Sequence, residues 1–360
     1  MRILHVEAGR HLYGGAQQVF YILQALKDSP HEHFLACPPN SDIEREAANV
    51  AQVLPCVMKG DLDIGLVSRL VRLIRRHDIE LIHVHSRRGA DMWGLIAAKR
   101  TGIPAVVSRR VDNTEPHWFA RRKYHGFRKV ITISEGIRQV LIREGVEPEH
   151  IQTIRSAVDT QRFEPNKAAR QQLNSTFGLT EQHLVLGVIA QLIERKGHAV
   201  LLDALPDIIQ QHPNVRVVIF GKGPLADELT HRIEQDGLSE HVQMAGFRTD
   251  MDQLVPGLDI VVHPAFKEGL GVSLLQASAC AVPIVAGNAG GIPEAVRHEI
   301  NGLLVTPGSV DELKSALLRL LGSNELRHLY GEQGRQLMLD EFSIDVMAKA
   351  NEALYQTLLK

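Results

Sequence analysis

The chain has 360 residues, 44% hydrophobic and 23% charged, which is long enough for two globular domains with cores of their own. Its three cysteines, Cys37, Cys56 and Cys280, are too few and too scattered for a disulfide framework or a zinc site. No apolar run approaches the roughly 18 residues of a membrane-spanning helix, and the start lacks a signal peptide. These features predict a cytoplasmic protein.

The net charge of −2 conceals two oppositely charged halves. Residues 1–165 hold 24 Lys+Arg against 19 Asp+Glu, a net of +5, and residues 166–360 hold 16 against 23, a net of −7. The positive excess, concentrated between Arg87 and Lys129, favours an acidic partner, either a phosphorylated acceptor or an anionic membrane surface. A solvated basic face is an equally good interpretation. The scarcity of aromatic residues and the lack of a binding signature argue against nucleic acid.

The first half alternates short apolar strands with amphipathic helices. Strands are predicted at Ile3–Glu7, Phe34–Cys37, Leu81–His85, Ala105–Ser108 and Val130–Ile133, with helices at Gln17–Leu26, Leu66–Arg76 and Ala90–Arg100. Buried strands alternating with such helices indicate a parallel sheet covered on both faces.

A polar segment between Pro165 and Thr180 separates the halves. We predict an N-terminal domain at 1–165 and a C-terminal domain at 175–342. The second set of strands is predicted at Leu184–Ala190, Arg216–Gly221, Val242–Ala245, Ile260–His263, Pro283–Ala286 and Leu303–Val305. A final helical pattern, 335–359, is interrupted near Ser343. Each half is therefore predicted to be a doubly wound, Rossmann-like α/β domain.

The loop after the fourth strand of the second half is the strongest ligand-binding candidate, because ligands bind beyond strand carboxyl ends in such sheets. Gly269 and Gly271 allow close backbone approach, and a helix starting near Val272 offers free N–H groups to a diphosphate. Glu268 and Gln276 are about two helical turns apart and can share a face. Both can accept hydrogen bonds from sugar and ribose hydroxyls.

Other strand-to-helix loops add to this prediction. Lys196 follows the first strand of the second half, where one charge about 4 Å from a phosphate is worth on the order of 4 kcal/mol before desolvation. Gly246 and Phe247 could hold a base through backbone hydrogen bonds and an apolar wall. The turn Gly290–Glu294 enters a further helix with proline at its start.

Together these residues resemble the retaining glycosyltransferases of family 4, the bacterial group 1 type with the GT-B fold. The motifs that carry the resemblance are Gly14-Gly15-Ala16, His83-Val84-His85, Ile133-Ser134-Glu135, Lys196-Gly197, Gly246-Phe247, Glu268-Gly269-Leu270-Gly271, Gly290-Gly291-Ile292-Pro293-Glu294 and Asn301-Gly302-Leu303-Leu304-Val305. The segment 260–305 is the most specific, because its motifs occur with the family's spacing.

The resemblance implies two doubly wound domains facing across a cleft, with the last helix, about 343–360, packed on the first domain. It implies retaining transfer of a sugar from a nucleoside-diphosphate sugar to an acceptor hydroxyl. The arginines of the first half add the hypothesis of an anionic glycan or glycolipid acceptor, such as a phosphorylated lipopolysaccharide-core sugar of the cell envelope. No cofactor and no metal are expected.

The resemblance also implies roles for residues. His85 would point at the transferred sugar, Lys196 would bind the diphosphate and Glu268 would contact the sugar, which makes these three the catalytic candidates. The expected donor-binding set is Gly14, Gly15, Gln191, Lys196, Gly246, Phe247, Glu268, Gly269, Leu270, Gly271, Val272, Ser273 and Gln276. Gln191 stands where the family has an arginine and Gln276 where it has a second glutamate. Weaker donor binding, an altered nucleotide preference or lost catalysis would follow.

The acceptor is expected on the first domain. Arg87, Arg88, Arg109 and Arg110 follow strands and are predicted to receive an anionic acceptor. The segment Trp118–Lys123 either contacts an anionic inner membrane or packs its aromatic face inward. The cytoplasmic protein could then rest on the inner face of the plasma membrane, and its oligomeric state stays open.

Other residue patterns of the chain permit other interpretations. Asp61 and Asp63 form an Asp-x-Asp pair in a loop, which we do not take as a metal motif. His83 and His85 share one strand face but show no evident third metal ligand, so a sugar contact or a packed histidine is favoured. A nucleotide-sugar epimerase and a non-catalytic sugar-nucleotide-binding protein remain alternatives. An NAD enzyme is disfavoured because no Gly-x-Gly-x-x-Gly follows the first strand.

Overall fold

The computed structural model describes residues 1–12, 14–85 and 89–358, which fold into two compact units. The N-terminal unit comprises residues 1–157 and the C-terminal segment from Ile344. The C-terminal unit comprises Val158–Ser343. Each unit contains one parallel sheet.

The strands of the N-terminal unit lie in the order β3-β2-β1-β4-β5-β6-β7, and those of the C-terminal unit in the order β10-β9-β8-β11-β12-β13. Their bounds are β1 Arg2–Val6, β2 Glu32–Cys37, β3 Gln52–Pro55, β4 Leu81–Val84, β5 Ala105–Arg109, β6 Lys129–Thr132, β7 Ile151–Thr153, β8 Leu184–Ile189, β9 Val215–Phe220, β10 Val242–Gly246, β11 Ile260–His263, β12 Ile284–Gly287 and β13 Gly302–Val305. In both sheets the strand order reverses beside the first strand of the unit, which is the doubly wound pattern.

Helices connect the strands and cover both faces of each sheet. Their bounds are α1 Gly15–Ala25, α2 Asp42–Glu46, α3 Gly65–Arg76, α4 Ala90–Thr101, α5 His117–Tyr124, α6 Glu135–Arg143, α7 Ala169–Phe177, α8 His198–Gln211, α9 Ala226–Gln235, α10 Met251–Leu254, α11 Val272–Ala279, α12 Ile292–Ala295, α13 Val310–Leu321, α14 Asn324–Glu341 and α15 Ile344–Thr357. Short 3-10 turns occur at Ala47–Asn49, Pro148–His150, Glu194–Lys196 and Val255–Gly257. No helix of the described ranges has the length and apolar character to cross a membrane.

One face of the N-terminal sheet carries an apolar row followed by a polar row. The apolar row packs under α1 and α15 and consists of Ile3, Leu81, Val106 and Ile131. Because side chains two residues apart share a strand face, the next step along three of these strands presents a polar row, which consists of His5, His83 and Ser108. The polar row therefore lies toward the carboxyl ends of the strands.

The fold class is confirmed, as are all eleven predicted strands. The edge strands β3 and β7 were not predicted, since each is at most four residues long and β3 ends in a proline, which weakens the alternation signal.

The predicted domain boundary is corrected by the structure, because the second unit already begins at Val158. Helix α7 lies inside the segment taken as a linker, yet it belongs to the C-terminal unit. Its Leu173 is buried, and Arg170 donates hydrogen bonds to Asp259 Oδ2 at 2.8 Å and to the carbonyl of Gly257 at 2.9 Å. The sequence of α7 is polar, but these contacts make the helix part of the packed C-terminal unit.

The second crossing of the boundary lies between α14 and α15, where the predicted interruption near Ser343 occurs. Helix α15 packs against α1 in the N-terminal unit. Its Tyr355 is fully buried, and the phenol lies 2.7 Å from His83 Nδ1.

Candidate active site

In the C-terminal unit a partly buried carboxylate lies beside a buried lysine and a buried histidine at the carboxyl ends of neighbouring strands. Lys196 ends the 3-10 turn after β8, and Glu268 lies in the loop between β11 and α11. Lys196 Nζ donates to Glu268 Oε2, and His263 Nε2 lies 3.2 Å from the same oxygen. The backbone N–H of Gly269 donates to Glu268 Oε1 at 3.0 Å. These donors occupy both oxygens of the carboxylate.

The electrostatics keep Glu268 ionised. Burial alone would raise the pKa of Glu268, but the hydrogen bond from His263 and the positive charge of Lys196 outweigh burial and bring this pKa to about 2. Burial also lowers the pKa of His263, so its neutral ring donates Nε2–H to the carboxylate. At neutral pH this site presents a carboxylate acceptor and an ammonium donor.

Glycines hold the loops of this site close together. A Cβ on Gly197, whose φ is +72°, would lie 2.0 Å from the carbonyl oxygen of Pro264. A Cβ on Gly290, at φ +57°, would lie 2.0 Å from the carbonyl oxygen of Glu268. Gly291 N–H donates to that same carbonyl at 3.0 Å. The three loops therefore interlock only because these positions lack side chains.

The remaining predicted donor residues surround this core of the site. Gly271 adopts φ +87° and precedes α11, whose first residues, Val272 and Ser273, have amides without intrahelical acceptors. Leu270 is buried beneath the loop, and Gln276 is half-buried one and a half turns into the helix. The helix begins at Val272, where the sequence predicted a helix start, and its first turn has N–H groups that could face an anion.

The predicted base-binding loop follows β10 and lies at the outer strand of the sheet. Gly246 has φ +66°, and the ring of Phe247 is 50% exposed. Lys222 Nζ lies 4.8 Å from the centroid of that ring, so the aromatic face already has a cation on it. Gln191, at the end of β8, is exposed.

Sequence reasoning missed two histidines of this unit, His263 and His198. His263 was read only as the last residue of a strand, and its hydrogen bond to Glu268 depends on a loop that turns back over the strand end. His198 begins α8, is only 3% exposed, and both its ring nitrogens lack a hydrogen-bond partner. Burial, His263 and Lys196 lower the pKa of His198 to about 4. The sequence signal that could have identified His198 was its position directly after the Lys196-Gly197 motif.

The N-terminal unit has its own cluster at the carboxyl ends of β1, β4 and β5. His85 follows β4, and its Nδ1 lies 3.4 Å from the guanidinium of Arg110, which follows β5. A Cβ on Gly15 would lie 3.3 Å from Arg110 Cδ, so the glycine loop passes directly over that side chain. Burial lowers the pKa of Arg110 to about 10, although Glu7 opposes this effect, so Arg110 stays charged at neutral pH. The structure thus brings Gly15, His85 and Arg110 together, and Gly14 precedes them with φ +58°.

A third histidine stands beside His83 and His85, which corrects the expectation that no further ligand is at hand. Ring nitrogens of His5, His83 and His85 lie within 4.8 Å of one another. Such a set could hold a metal ion by number. However, His83 Nδ1 already faces the hydroxyl of Tyr355 at 2.7 Å, and His83 Nε2 faces Ser108 Oγ at 2.8 Å. These contacts use both ring nitrogens of His83, and the positive charge of Arg110 beside His85 would repel a bound cation.

Arg109 is a correction to the predicted acceptor set. Its side chain is 1% exposed, and its NH1 lies 3.8 Å from Glu115 Oε1. Glu115 in turn accepts from buried Lys123 at 3.1 Å. Because neighbouring residues on a strand point to opposite faces, Arg109 points inward while Arg110 reaches the His85 cluster. Arg87 and Arg88 lie outside the described residues.

Two further sequence features have structural roles. Asp63 accepts from Lys59 N–H at 2.8 Å and pairs with Arg69, so it fixes its own loop. Trp118, on α5, is 72% exposed while Lys123 of the same helix points inward. The side chains of α5 therefore point in two directions: Trp118 faces solvent, and Lys123 faces the interior of the unit.

Comparisons with known proteins agree with this geometry. The model of the glycosyl transferases group 1 family matches residues 170–337, and the model of glycosyltransferase family 4 matches residues 13–162. A GDP-mannose-dependent alpha-(1-6)-phosphatidylinositol monomannoside mannosyltransferase of Mycobacterium tuberculosis is 31% identical over 300 residues, which cover 78% of this chain and 76% of that protein. The chain belongs to the group 1 glycosyltransferases of family 4.

Solved structures show the same fold. A glycosyltransferase of Rickettsia africae superposes with a TM-score of 0.89 at 19% identity, covering 100% of this chain and 98% of that one. Anabaena Alr3699/HepE in complex with UDP superposes with a TM-score of 0.87 at 22% identity, covering 99% and 100%. At these identities the likeness establishes the GT-B fold alone. Family membership, shown by the two matching models and the 31% identical relative, makes this chain a glycosyltransferase that uses a nucleotide sugar and has two α/β units.

Proposed function

We propose that this glycosyltransferase carries out a retaining, metal-independent transfer of a sugar from a nucleoside-diphosphate sugar to a hydroxyl of an anionic glycan or glycolipid. The observation that carries the proposal is the buried pair of Lys196 and Glu268 beside the N-terminus of α11. A cation and free helix amides suit a diphosphate, and an ionised carboxylate suits sugar hydroxyls.

The proposed chemistry is electrostatic. As the bond between sugar and diphosphate breaks, negative charge grows on the leaving phosphate, where Lys196 and the amides of Val272 and Ser273 would stabilise it. Glu268 would bind the sugar as a hydrogen-bond acceptor, because its pKa of about 2 leaves it no proton to donate at neutral pH. Its polar neighbours are Lys196 and His263 rather than a second carboxylate, unlike the paired carboxyl groups of glycosidases.

Metal independence rests on the same residues. The ammonium of Lys196 supplies positive charge where a divalent ion would otherwise neutralise the diphosphate. The carboxylate of Glu268 already accepts from three donors, which leaves acceptor capacity for a sugar hydroxyl. This remains a proposal, and activity measured with EDTA tests it directly.

The acceptor is proposed to bind the N-terminal unit near Arg110 and His85. One buried cation that stays charged at neutral pH would attract a phosphorylated acceptor. Arg87 and Arg88 stay predictions. Exposed Trp118, with exposed arginines on the same helix, supports a proposed contact with an anionic membrane face.

The donor site is tested by thermal unfolding with UDP, GDP, ADP, TDP and their sugar conjugates, each with and without EDTA. A ligand at 100 times its Kd adds about 2.7 kcal/mol of stability. We expect one nucleotide to shift the unfolding temperature with EDTA present. The Lys196→Ala variant should lose this shift, and Lys222→Ala, which removes an exposed lysine, should retain most of it.

A shift with no nucleotide, or a shift that requires a divalent ion, would contradict the proposed donor site. In that case Gln191 and Gln276, the two departures from the family pattern, would be the first positions to restore, as Gln191→Arg and Gln276→Glu. Incubating the identified donor without an acceptor then separates transfer from epimerisation. The anomeric configuration of the product, read by proton NMR, tests retention.

A further inference from the structure

Four side chains form a continuous hydrogen-bonded chain inside the N-terminal unit. His85 Nε2 lies 2.9 Å from His5 Nδ1, His5 Nε2 lies 3.0 Å from His33 Nδ1, and His33 Nε2 lies 3.3 Å from Ser29 Oγ. The chain starts beyond the carboxyl end of β4, crosses β1 and ends in the loop before β2. All three imidazole rings are buried.

Arg110 sets the direction of every hydrogen bond in this chain. A guanidinium only donates, so the His85 Nδ1 that faces Arg110 at 3.4 Å must be the nitrogen without hydrogen. A neutral imidazole carries one N–H, so His85 donates from Nε2 to His5. The same reasoning makes His5 donate from Nε2 to His33, and His33 donate from Nε2 to Ser29.

Burial supports the neutral state on which this reasoning depends. Burial lowers the pKa of His5 and His85 well below the ordinary value, and it lowers the pKa of His33 to about 4. In the opposite tautomer His85 would turn an N–H toward the N–H groups of Arg110, and a buried donor would be left without an acceptor. Such an unpaired donor costs about as much as a lost hydrogen bond or more.

We propose that His5 and His33 are positioning residues that hold His85 in its Nε2–H tautomer, so that His85 Nδ1 can accept a hydrogen bond only from the substrate side. Resting on the proposed function, this names the hydrogen-bonding role of His85: it accepts from a hydroxyl of the bound sugar and donates nothing to it. The contact of 3.4 Å with Arg110 is long, so a hydroxyl can replace it.

Two histidines of this chain, His5 and His85, also belong with His83 to the candidate metal set of this unit, and the proposed tautomer excludes that use. A metal bound by His5 Nδ1 and His85 Nε2 would need both lone pairs, whereas the chain places a hydrogen between these two nitrogens. Added zinc therefore distinguishes the two: a metal site predicts zinc-dependent NMR shifts of its histidines, and the proposed tautomer predicts none.

Two substitutions at His33 separate the hydrogen bond from the packing. His33→Phe keeps a ring but removes the acceptor for His5 Nε2–H. His33→Asn places an amide oxygen near the former Nδ1 position and can still accept from His5. His31→Phe is the matched control, since His31 lies on the same turn and its ring nitrogens have no partner.

The direct readout is the tautomer of His85, measured on the full chain with 15N-labelled histidine and assigned through single variants. We expect His5, His33 and His85 all to carry hydrogen on Nε2 in the wild type between pH 6 and 8. His33→Phe should give a mixture of tautomers at His5 and His85, and His33→Asn and His31→Phe should keep Nε2–H. A hydrogen on Nδ1 of His85 in the wild type, no change in His33→Phe, or zinc-dependent shifts of His5, His83 and His85 would each overturn the proposal.

The kinetic readout follows from the loss of one oriented hydrogen bond. We expect kcat/KM for the sugar donor to fall about tenfold in His33→Phe, while His33→Asn and His31→Phe stay within about threefold of the wild type. Binding of the nucleoside diphosphate alone should be unchanged in all three, because it does not use His85. The tautomers are measured without substrate, so a failure of nucleotide binding would contradict the proposed function and leave this assignment standing.

Discussion

The buried pair of Lys196 and Glu268 makes a quantitative prediction for Lys196→Met, which keeps the length of the side chain and removes its charge. The pKa of Glu268 is about 2 against an ordinary 4.5, which corresponds to about 3 kcal/mol in favour of the carboxylate. His263 supplies part of this preference through its hydrogen bond, and Lys196 supplies the rest through its charge and its hydrogen bond. Removing Lys196 therefore costs roughly half of it, and the poorer packing of the loop adds to the loss.

We expect Lys196→Met to lower the free energy of unfolding by about 2 kcal/mol at pH 7, because it leaves a buried carboxylate with His263 and one backbone donor. For a unit of this size, that corresponds to a fall of about 6 °C in the unfolding temperature. The pH dependence gives a second check. A carboxyl whose folded pKa is depressed contributes stability above its unfolded pKa and loses it as the pH falls from about 4.5 toward 2. In Lys196→Met this decline should be shallower.

The assay is differential scanning calorimetry between pH 2.5 and 8, with Lys222→Met as the matched control. Lys222 is exposed over the ring of Phe247, so its loss should shift the unfolding temperature by less than about 2 °C. The double variant Lys196→Met/Glu268→Gln should be more stable than the sum of its single variants predicts, because neither group is left alone. The pairing would be refuted if Lys196→Met unfolded at the same temperature as Lys222→Met. An unchanged dependence of its unfolding temperature on pH would refute the pairing as well.

Three further substitutions test other parts of the structure. Gly197→Ala would force a side chain at φ +72° to within 2.0 Å of the carbonyl of Pro264, so we expect a loss on the order of 3 kcal/mol in chemical denaturation and no remaining nucleotide-induced shift. Arg109→Met should destabilise the protein by about 1 kcal/mol, because it removes one of the two cations beside Glu115 and leaves Lys123 as the other, and intact stability would show that the ion pair with Arg109 is not formed. Tyr355→Phe removes the hydroxyl 2.7 Å from His83 and should cost about 1 kcal/mol, with faster hydrogen exchange in α15; unchanged exchange would argue that packing alone holds this helix.

The sheets could be predicted from sequence because their central strands are short and mostly apolar. Apart from half-buried Arg216, the residues of Ile260–His263 and Val215–Phe220 are buried, so composition identifies these strands without any partner. The edge strands Gln52–Pro55 and Ile151–Thr153 contact only one neighbour and carry polar residues, and composition does not distinguish them from loops. The predicted domain boundary was misplaced for a similar reason. Helix α7 is held to the C-terminal unit by the hydrogen bond from Arg170 to Asp259 and not by an apolar stripe.

The donor site could be predicted as a set of loops but not as a network. The glycines of the loop after β11 are visible in sequence because their chemistry is local. The bond from His263 to Glu268 depends on how that loop folds back, and the contact of Gly290 with the carbonyl of Glu268 joins loops 22 residues apart in the chain. Arg109 and Arg110 show the same limit, because which of two adjacent arginines faces inward depends on the exact end of β5.

The polar row of the N-terminal sheet explains why this edge needs so many buried hydrogen-bonding groups at once. Each histidine of the row lies between two buried partners: His83 between Ser108 and Tyr355, and His5 between His85 and His33. A buried polar group without a partner costs more than its hydrogen bond contributes, so replacing any one of them leaves a neighbour unsatisfied. The set can therefore hold only one arrangement of donors and acceptors. For this reason we expect variants within the row to alter the orientation of His85 and the docking of α15 before they unfold the sheet.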